Sequence, residues 1–217
     1  LPLAWEVLRY AVSKTGLLSM SPSHGAGFVR SRPGLETPDV QLLFAPASYE
    51  NGRVGAAPLE RTPGMTCGVC QLRPESRGWV RALSPAPDQA PEIQPNFLAE
   101  ALDRETLLAG IRLVRRLYAT APLSRYVDAE SFPGPECQSD DELMEWARAT
   151  GNTVYHPVGS CRMGSDEDAV VDPQLRVNGV DRLYVADASV MPTMVSGNTY
   201  AASNMIGEKA SDLLLAA

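Results

Sequence analysis

The chain has 217 residues, of which 44% are hydrophobic and 21% are charged, so its composition is that of an ordinary globular protein. It carries 19 basic and 26 acidic residues, a net charge of -7, and no basic run, which argues against nucleic acid as a partner. No apolar stretch approaches the length of a membrane span. The sequence begins Leu1-Pro2-Leu3, without methionine or a signal-peptide pattern, and we expect it to be cut from a longer polypeptide.

The first 150 residues predict an antiparallel sheet with flanking helices. Trp5, Leu8 and Val12 recur at helical spacing and predict a short helix within residues 1–20. Beyond it, apolar runs alternate with turns that contain proline and glycine, which is typical of short strands. We expect strands within residues 25–32, 39–47, 67–74 and 78–83.

Four cysteines are present, and Cys67 and Cys70 form a C-x-x-C pair, a pattern found in redox and zinc sites. A tetrahedral zinc site needs two more ligands, and the sequence has no second C-x-x-C and no histidine pair. The two cysteines lie within a predicted strand, where residues three apart point to opposite faces. We therefore expect two ordinary strand cysteines and no metal site.

Two helices are predicted between the strands and residue 150. Apolar residues at positions 107, 111, 114 and 117 form one stripe of a long helix, for which Asp103 is the expected N-cap. A proline-rich loop follows over residues 131–138. A second helix starts near Ser139 and carries Leu143 and Trp146.

The last third of the chain predicts a hairpin, a short strand and a final helix. An Asn-Gly dipeptide at residues 178–179 lies between two apolar runs, which is typical of a tight hairpin turn. Residues 182–187 follow as a predicted strand. Asn198 or Gly197 is expected at the N-terminus of the final helix, whose apolar residues recur at helical spacing: Ala202, Ile206, Ala210 and Leu213.

His156 is one of only two histidines, and its surroundings are unusual for a core strand. Pro157 biases His156 away from helix, and the glycines behind it permit close approach of the backbone to another group. These features predict a side chain presented at a site. A hairpin and a strand separate His156 from Asn198, a path that can return the chain to the same sheet edge. A loop histidine can also be structural or solvated, and His24, which no motif surrounds, is interpreted that way.

Three blocks near the C-terminus resemble the C-terminal signature of the glucose–methanol–choline (GMC) oxidoreductase family, a group of flavin-dependent alcohol oxidases and dehydrogenases. They are YHPVGSCRMG, VVDPQLRVNGVDRLYVADASVMP and SGNTYAASNMIGEKASDLL, and they cover about residues 153–215 in the correct order. A weaker resemblance to the family's substrate-domain sheet covers GAGFVRSRPGLETPDVQLLF and CQLRPESRGWVRALS.

The resemblance implies a mixed α+β and α/β fold. Residues 1–150 would be part of the substrate-binding domain, and residues 151–217 would return to an FAD-binding, Rossmann-like domain. The family opens with a strand, a G-x-G-x-x-G turn and a helix that hold the ADP half of FAD. The nearest match here is HGAGFVR, with Arg30 in place of the third glycine. We therefore expect the N-terminal FAD-binding part of the same enzyme to be a partner of this chain.

By the same resemblance, His156 and Asn198 match the family's catalytic histidine and its His/Asn partner. Removing the hydroxyl proton of an alcohol needs a base with a pKa near 7, and the oxygen then needs a donor such as an amide. The hydride would pass to N5 of FAD, and the electrons to O2 or another acceptor. Cofactor contacts are expected from Tyr155, Asp187, Ala188, Asn198 and Thr199.

Two alternatives to an FAD-dependent alcohol oxidase or dehydrogenase remain. Some members of the family cleave cyanohydrins with the same fold, which would make this protein a hydroxynitrile lyase. A folded but catalytically inert fragment is the other. Without the resemblance, Asp187 is interpreted as a turn residue and Tyr155 as a packing residue.

Overall fold

A computed structural model describes residues 3–21, 23–50 and 58–216. The helices within these ranges are α1 (Leu3–Ser13), α2 (Ala101–Tyr118), α3 (Ala121–Ser124), α4 (Asp140–Thr150) and α5 (Tyr200–Leu215). The strands are β1 (Gly25–Val29), β2 (Val40–Ala45), β3 (Thr66–Gln71), β4 (Trp79–Arg81) and β5 (Glu92–Gln94). The predicted antiparallel sheet with flanking helices is therefore confirmed. No helix formed by the described residues combines the length and apolarity that a membrane span requires.

The main sheet has the order β1-β2-β3, with both pairs antiparallel. Helix α2 covers one face of it, where Gly110 lies against Val69 and Val40. Glycine is needed at position 110 because a Cβ there would collide with the Val69 side chain. Side chains alternate along a strand, so Gln41 and its partner Cys70 lie on the face opposite α2.

The fourth strand does not join this sheet, contrary to the expectation of one sheet over residues 25–83. β4 pairs instead with β5, a strand that the sequence did not predict, and the two form a separate hairpin. The reason lies in the connection after β3, which bends at residues 72–73 instead of returning along the sheet edge.

Asp103 holds the chain just after that bend, at residues 75 and 76, and its predicted role as N-cap of α2 is wrong. The N-cap is Glu100, and Asp103 lies in the first turn of the helix with 1% of its surface exposed. Its carboxylate accepts hydrogen bonds of 2.8 Å from Gln71 Nε2 and from the backbone N–H groups of Glu75 and Ser76. Burial by itself would raise the pKa of Asp103, but these hydrogen bonds outweigh it and lower that pKa.

Helix α4 forms as the sequence predicts. Ser139 is its N-cap and exchanges hydrogen bonds with Glu142 in a capping box, which satisfies two backbone donors at once. Leu143 is fully buried in a small core with Ile111 of α2 and Cys137. The apolar stripes of α2 and α4 therefore meet.

Helix α1 also forms, but its expected apolar face stays uncovered by the described residues. Trp5, Leu8 and Val12 are 52%, 54% and 79% exposed. The buried residue of α1 is Glu6, whose carboxylate accepts a hydrogen bond from the Leu17 backbone at 2.9 Å. Helical periodicity correctly predicts the helix but not the side that is buried.

The C-terminal segment is built around α5 and a second core, formed by Val171, Leu175, Val190, Met191, Ile206 and Ala210. The predicted strand over residues 182–187 does not form, since Tyr184 makes only an isolated bridge with Arg176. The turn near Gly179 exists, with φ at +78°, but it is wider than the predicted two-residue hairpin. Helix α5 is confirmed, and its N-cap is Thr199 rather than Asn198 or Gly197.

Candidate active site

The backbone before His156 adopts a conformation that few residues with a side chain adopt. Tyr155 has φ at +60°, in the left-handed region, and its N–H donates to Thr153 Oγ1 at 3.0 Å. Pro157 follows His156 and restricts the backbone of His156 to extended conformations. Strain of this kind persists only where the surrounding structure holds it, and it is concentrated at functional sites. The side chain of Tyr155 is 70% exposed.

The chain after His156 is tied to the turn that follows Asp187. Cys161 N donates to Ser189 O at 3.0 Å, and Met163 N donates to Val190 O at 2.9 Å. The Asp187 carboxylate accepts a hydrogen bond from the Ser189 backbone at 2.7 Å and so caps a single turn of 3-10 helix. Hydrogen bonds from Ser189 lower the pKa of Asp187.

Two side chains from the start of α5 engage both nitrogens of the His156 ring. Asn198 Nδ2 lies 3.0 Å from His156 Nε2, and Thr199 Oγ1 lies 2.9 Å from His156 Nδ1. Thr199 is buried, His156 is half-buried and Asn198 is exposed. His156 and Asn198 are 42 positions apart in the sequence, yet their side chains converge, as the sequence predicts.

The loop that carries Asn198 is also bound to the main sheet. Gln41 Nε2 of β2 donates to Asn198 Oδ1 at 3.3 Å, and Arg73 Nε, beyond β3, donates to Ser196 Oγ at 2.8 Å. Sequence reasoning missed both residues. Gln41 stands in an otherwise apolar strand, and that polar interruption is the signal that could have indicated it.

The N-terminus of α5 is free of a side-chain cap among the described residues. Thr199 occupies the N-cap position, yet its hydroxyl faces His156 instead of the first turn of the helix. The backbone N–H groups of that turn carry a partial positive charge. They form a donor set suited to an anionic acceptor next to His156 and Asn198.

The remaining predicted residues lie around this cluster rather than in it. Asp187 and Ala188 belong to the turn that holds the loop after His156, and no described hydrogen bond joins them to the His156 ring. Tyr155 adjoins His156 in the chain. His24 immediately precedes β1, its backbone N–H donates to Phe44 O at 2.8 Å, and it takes no part in the cluster.

The cysteine pair in β3 lies apart from this chemistry. Cys67 and Cys70 are free and half-buried. Burial first, and then the neighbouring Cys70, raise the pKa of Cys67 to about 11, and burial also raises the pKa of Cys70. Both are therefore thiols at neutral pH, a form that is neither nucleophilic nor a metal ligand. Within the described ranges, no cluster of three or more His, Cys, Asp or Glu side chains could hold a metal ion.

Comparison with known proteins gives a consistent result. A family model described as GMC oxidoreductase matches residues 74–207. An uncharacterized GMC-type oxidoreductase of Mycobacterium tuberculosis is 43% identical over 96% of this chain and 40% of its own length. An alcohol dehydrogenase [acceptor] of Pseudomonas putida is 38% identical over 95% of this chain and 37% of its own length.

Comparison with solved structures agrees with the sequence comparison. A formate oxidase structure from Aspergillus oryzae RIB40 superimposes with a TM-score of 0.87 and 26% identity, over 99% of this chain and 41% of that one. The chain thus spans about 40% of the length of the first curated relatives that it matches. The match of the family model over more than half of the chain shows that the protein belongs to the GMC oxidoreductase family.

Proposed function

We propose that this chain is the site-bearing C-terminal part of a flavin-dependent enzyme that oxidises an alcohol to an aldehyde or ketone. The observation that carries the proposal is the His156–Asn198 pair, 3.0 Å apart and held by Thr199 and Gln41. Two relatives support the proposal. The one named an alcohol dehydrogenase supports oxidation of an alcohol, and the formate oxidase, whose structure concerns FAD modification, supports the flavin.

The described residues fit FAD on the chemistry of their donors. The uncapped N–H groups at the start of α5 suit the anionic edge of a reduced flavin, beside Asn198 and Thr199. Tyr155 has an exposed ring and adjoins His156 in the chain, and we expect the turn at Asp187 and Ala188, which is hydrogen-bonded to the loop after His156, to contact the cofactor as well. When bound, FAD would supply the hydride acceptor.

His156 and Asn198 have different roles in the proposed reaction. His156 Nε2 removes the proton of the substrate hydroxyl, and the Asn198 amide donates a hydrogen bond to the oxygen as negative charge develops there. Without an alcohol, the two groups satisfy each other at 3.0 Å. A hydroxyl that enters between them replaces one hydrogen bond with two, which orients it for proton transfer.

The domain boundary near residue 150 belongs to the same proposal. Residues 1–150 supply the sheet and α2–α4, whereas residues 151–217 carry His156 and Asn198 and would belong to the FAD-binding domain. Gln41 and Arg73 would then be the contacts that join the substrate domain to the catalytic loop. The N-terminal FAD-binding part of the enzyme is the expected partner of residues 151–217.

Anaerobic mixing of the flavin-loaded enzyme with a panel of primary and secondary alcohols tests the proposal. We expect at least one alcohol to bleach the flavin absorbance, and we expect no cyanide release from mandelonitrile. Cyanide release without bleaching would establish the hydroxynitrile lyase instead. An enzyme that neither bleaches nor releases cyanide would be the inert alternative.

Asn198→Ala tests, in the same assay, whether the Asn198 amide donates a hydrogen bond to the substrate oxygen. One lost neutral donor costs about 1–3 kcal/mol, which corresponds to a decrease of about 5- to 150-fold in the rate of bleaching. A rate unchanged by Asn198→Ala would refute the assignment of Asn198 as the oxygen donor.

A further inference from the structure

The hydrogen bonds around His156 form a chain with one consistent direction. Gln41 Nε2 donates to Asn198 Oδ1 at 3.3 Å, so the NH2 group of the Asn198 amide faces His156 Nε2 at 3.0 Å. An NH2 group can only donate, and the nitrogen that it faces must therefore carry a lone pair. The proton of the neutral imidazole is then on Nδ1, where Thr199 Oγ1 accepts it at 2.9 Å.

Turning the Asn198 amide around would move the proton of the His156 ring from Nδ1 to Nε2. With Oδ1 turned toward His156, Nε2 would carry the proton and could no longer accept one from a substrate. Asn198 itself is exposed, and nothing in its own side chain prefers one orientation of the amide over the other. The residue bonded to Oδ1 holds that end of the amide turned away from His156.

That residue is Gln41, a buried amide with 7% of its surface exposed on the face of the sheet opposite α2. It lies in the middle strand between Phe28 and Cys70, so the register of both neighbouring strands fixes its position. A buried amide in an apolar strand is costly unless it is hydrogen-bonded. Its hydrogen bond to Asn198 connects the substrate-domain sheet to the proposed base, because Asn198 in turn contacts His156.

We propose that Gln41 is a positioning residue, which orients the Asn198 amide and thereby holds His156 in the tautomer with a lone pair at Nε2. This inference rests on the proposed function, since it identifies Nε2 as the atom that accepts the substrate proton. Gln41 acts through Asn198 and does not itself contact the reacting oxygen.

Nitrogen NMR tests the proposal without any catalytic turnover. The enzyme that carries this chain, with its flavin bound, is labelled with [15N]histidine, and the His156 signals are assigned by comparison with a His156→Asn sample. At a pH about two units above the ring's measured pKa, we expect a protonated Nδ1 and an unprotonated Nε2. The opposite tautomer in the unsubstituted enzyme would overturn the proposal, whether or not any variant folds.

Gln41→Met gives the matching functional test, because methionine has a similar volume and no amide. We expect the tautomer preference of His156 to weaken and kcat to fall about 3- to 10-fold, as for one lost hydrogen bond, with KM changed less than twofold. Gln94→Met, the same substitution on exposed β5, is the control and should leave both readouts unchanged.

The two experiments separate this inference from the proposed function. If alcohols reduce the flavin but Gln41→Met leaves kcat and the nitrogen spectrum unchanged, Gln41 is only a packing residue and the inference is wrong. If no alcohol reduces the flavin, the proposed function fails, while the nitrogen spectrum still reports whether Gln41 orients the ring through Asn198.

Discussion

Replacing Asp103 with asparagine should destabilise the fold by about 2–4 kcal/mol. The carboxylate is 1% exposed and accepts three hydrogen bonds of 2.8 Å, two at Oδ1 and one at Oδ2. Asp103→Asn keeps one oxygen but puts an NH2 group against the N–H of Ser76. One hydrogen bond to a charged group, about 1.5–3 kcal/mol, is then lost, and a buried donor is left unpaired.

The pH dependence of this effect follows from the lowered pKa of Asp103. A carboxylate whose pKa is lower in the folded state stabilises the fold above the unfolded pKa of about 3.9, and the stabilisation disappears as the pH falls through the folded value. We expect the difference in free energy of unfolding between Asp103→Asn and the unsubstituted chain to be full at pH 7 and to shrink in acid.

Urea unfolding followed by circular dichroism measures this difference in the free energy of unfolding. Asp88→Asn is the control, since Asp88 is exposed and the same change there should stay within about 0.5 kcal/mol. If Asp103→Asn unfolds at the same urea concentration as Asp88→Asn, the buried carboxylate does not hold the chain at residues 75 and 76, and our explanation of the separate β4–β5 hairpin fails.

Two further substitutions test the packing and the site. Gly110→Ala should lower the free energy of unfolding by up to about 2 kcal/mol, because the collision of its Cβ with Val69 costs about 1–3 kcal/mol and helix propensity offsets about 1 kcal/mol of that. A more stable variant in urea unfolding would contradict that contact. Thr199→Val removes the hydroxyl that faces His156 Nδ1 and should reduce kcat about 3- to 10-fold with the helix content unchanged. An unaltered kcat would show that this hydroxyl has no part in orienting the ring.

Local patterns in the sequence predicted much of this structure. The start of α4 near Ser139 and the apolar spacing of α5 depend on residues within one or two helical turns, so a linear sequence displays them. The convergence of His156 and Asn198 depends on the chain between them, but the family resemblance of both blocks already indicated it.

Features that depend on distant residues could not be predicted in this way. Asp103 resembles an N-cap until the loop 28 residues earlier is seen to donate to it. Gln41 contacts Asn198 across 157 residues, and no local pattern encodes that distance. The strand expected over residues 182–187 has the right composition, but a strand also requires a neighbour over several residues, and the described residues provide one bridge.

The central claim is that His156 is the base that takes the substrate proton, and one rate constant tests it most directly. The measurement is the anaerobic rate of flavin reduction by a saturating alcohol in the complete enzyme, compared between His156→Ala and His24→Ala. These are the two histidines of the chain, and only His156 lies in the cluster. We predict a loss of about 10²–10⁴-fold for His156→Ala and a change of less than about twofold for His24→Ala. A loss below about tenfold for His156→Ala would contradict the role of His156 as the base.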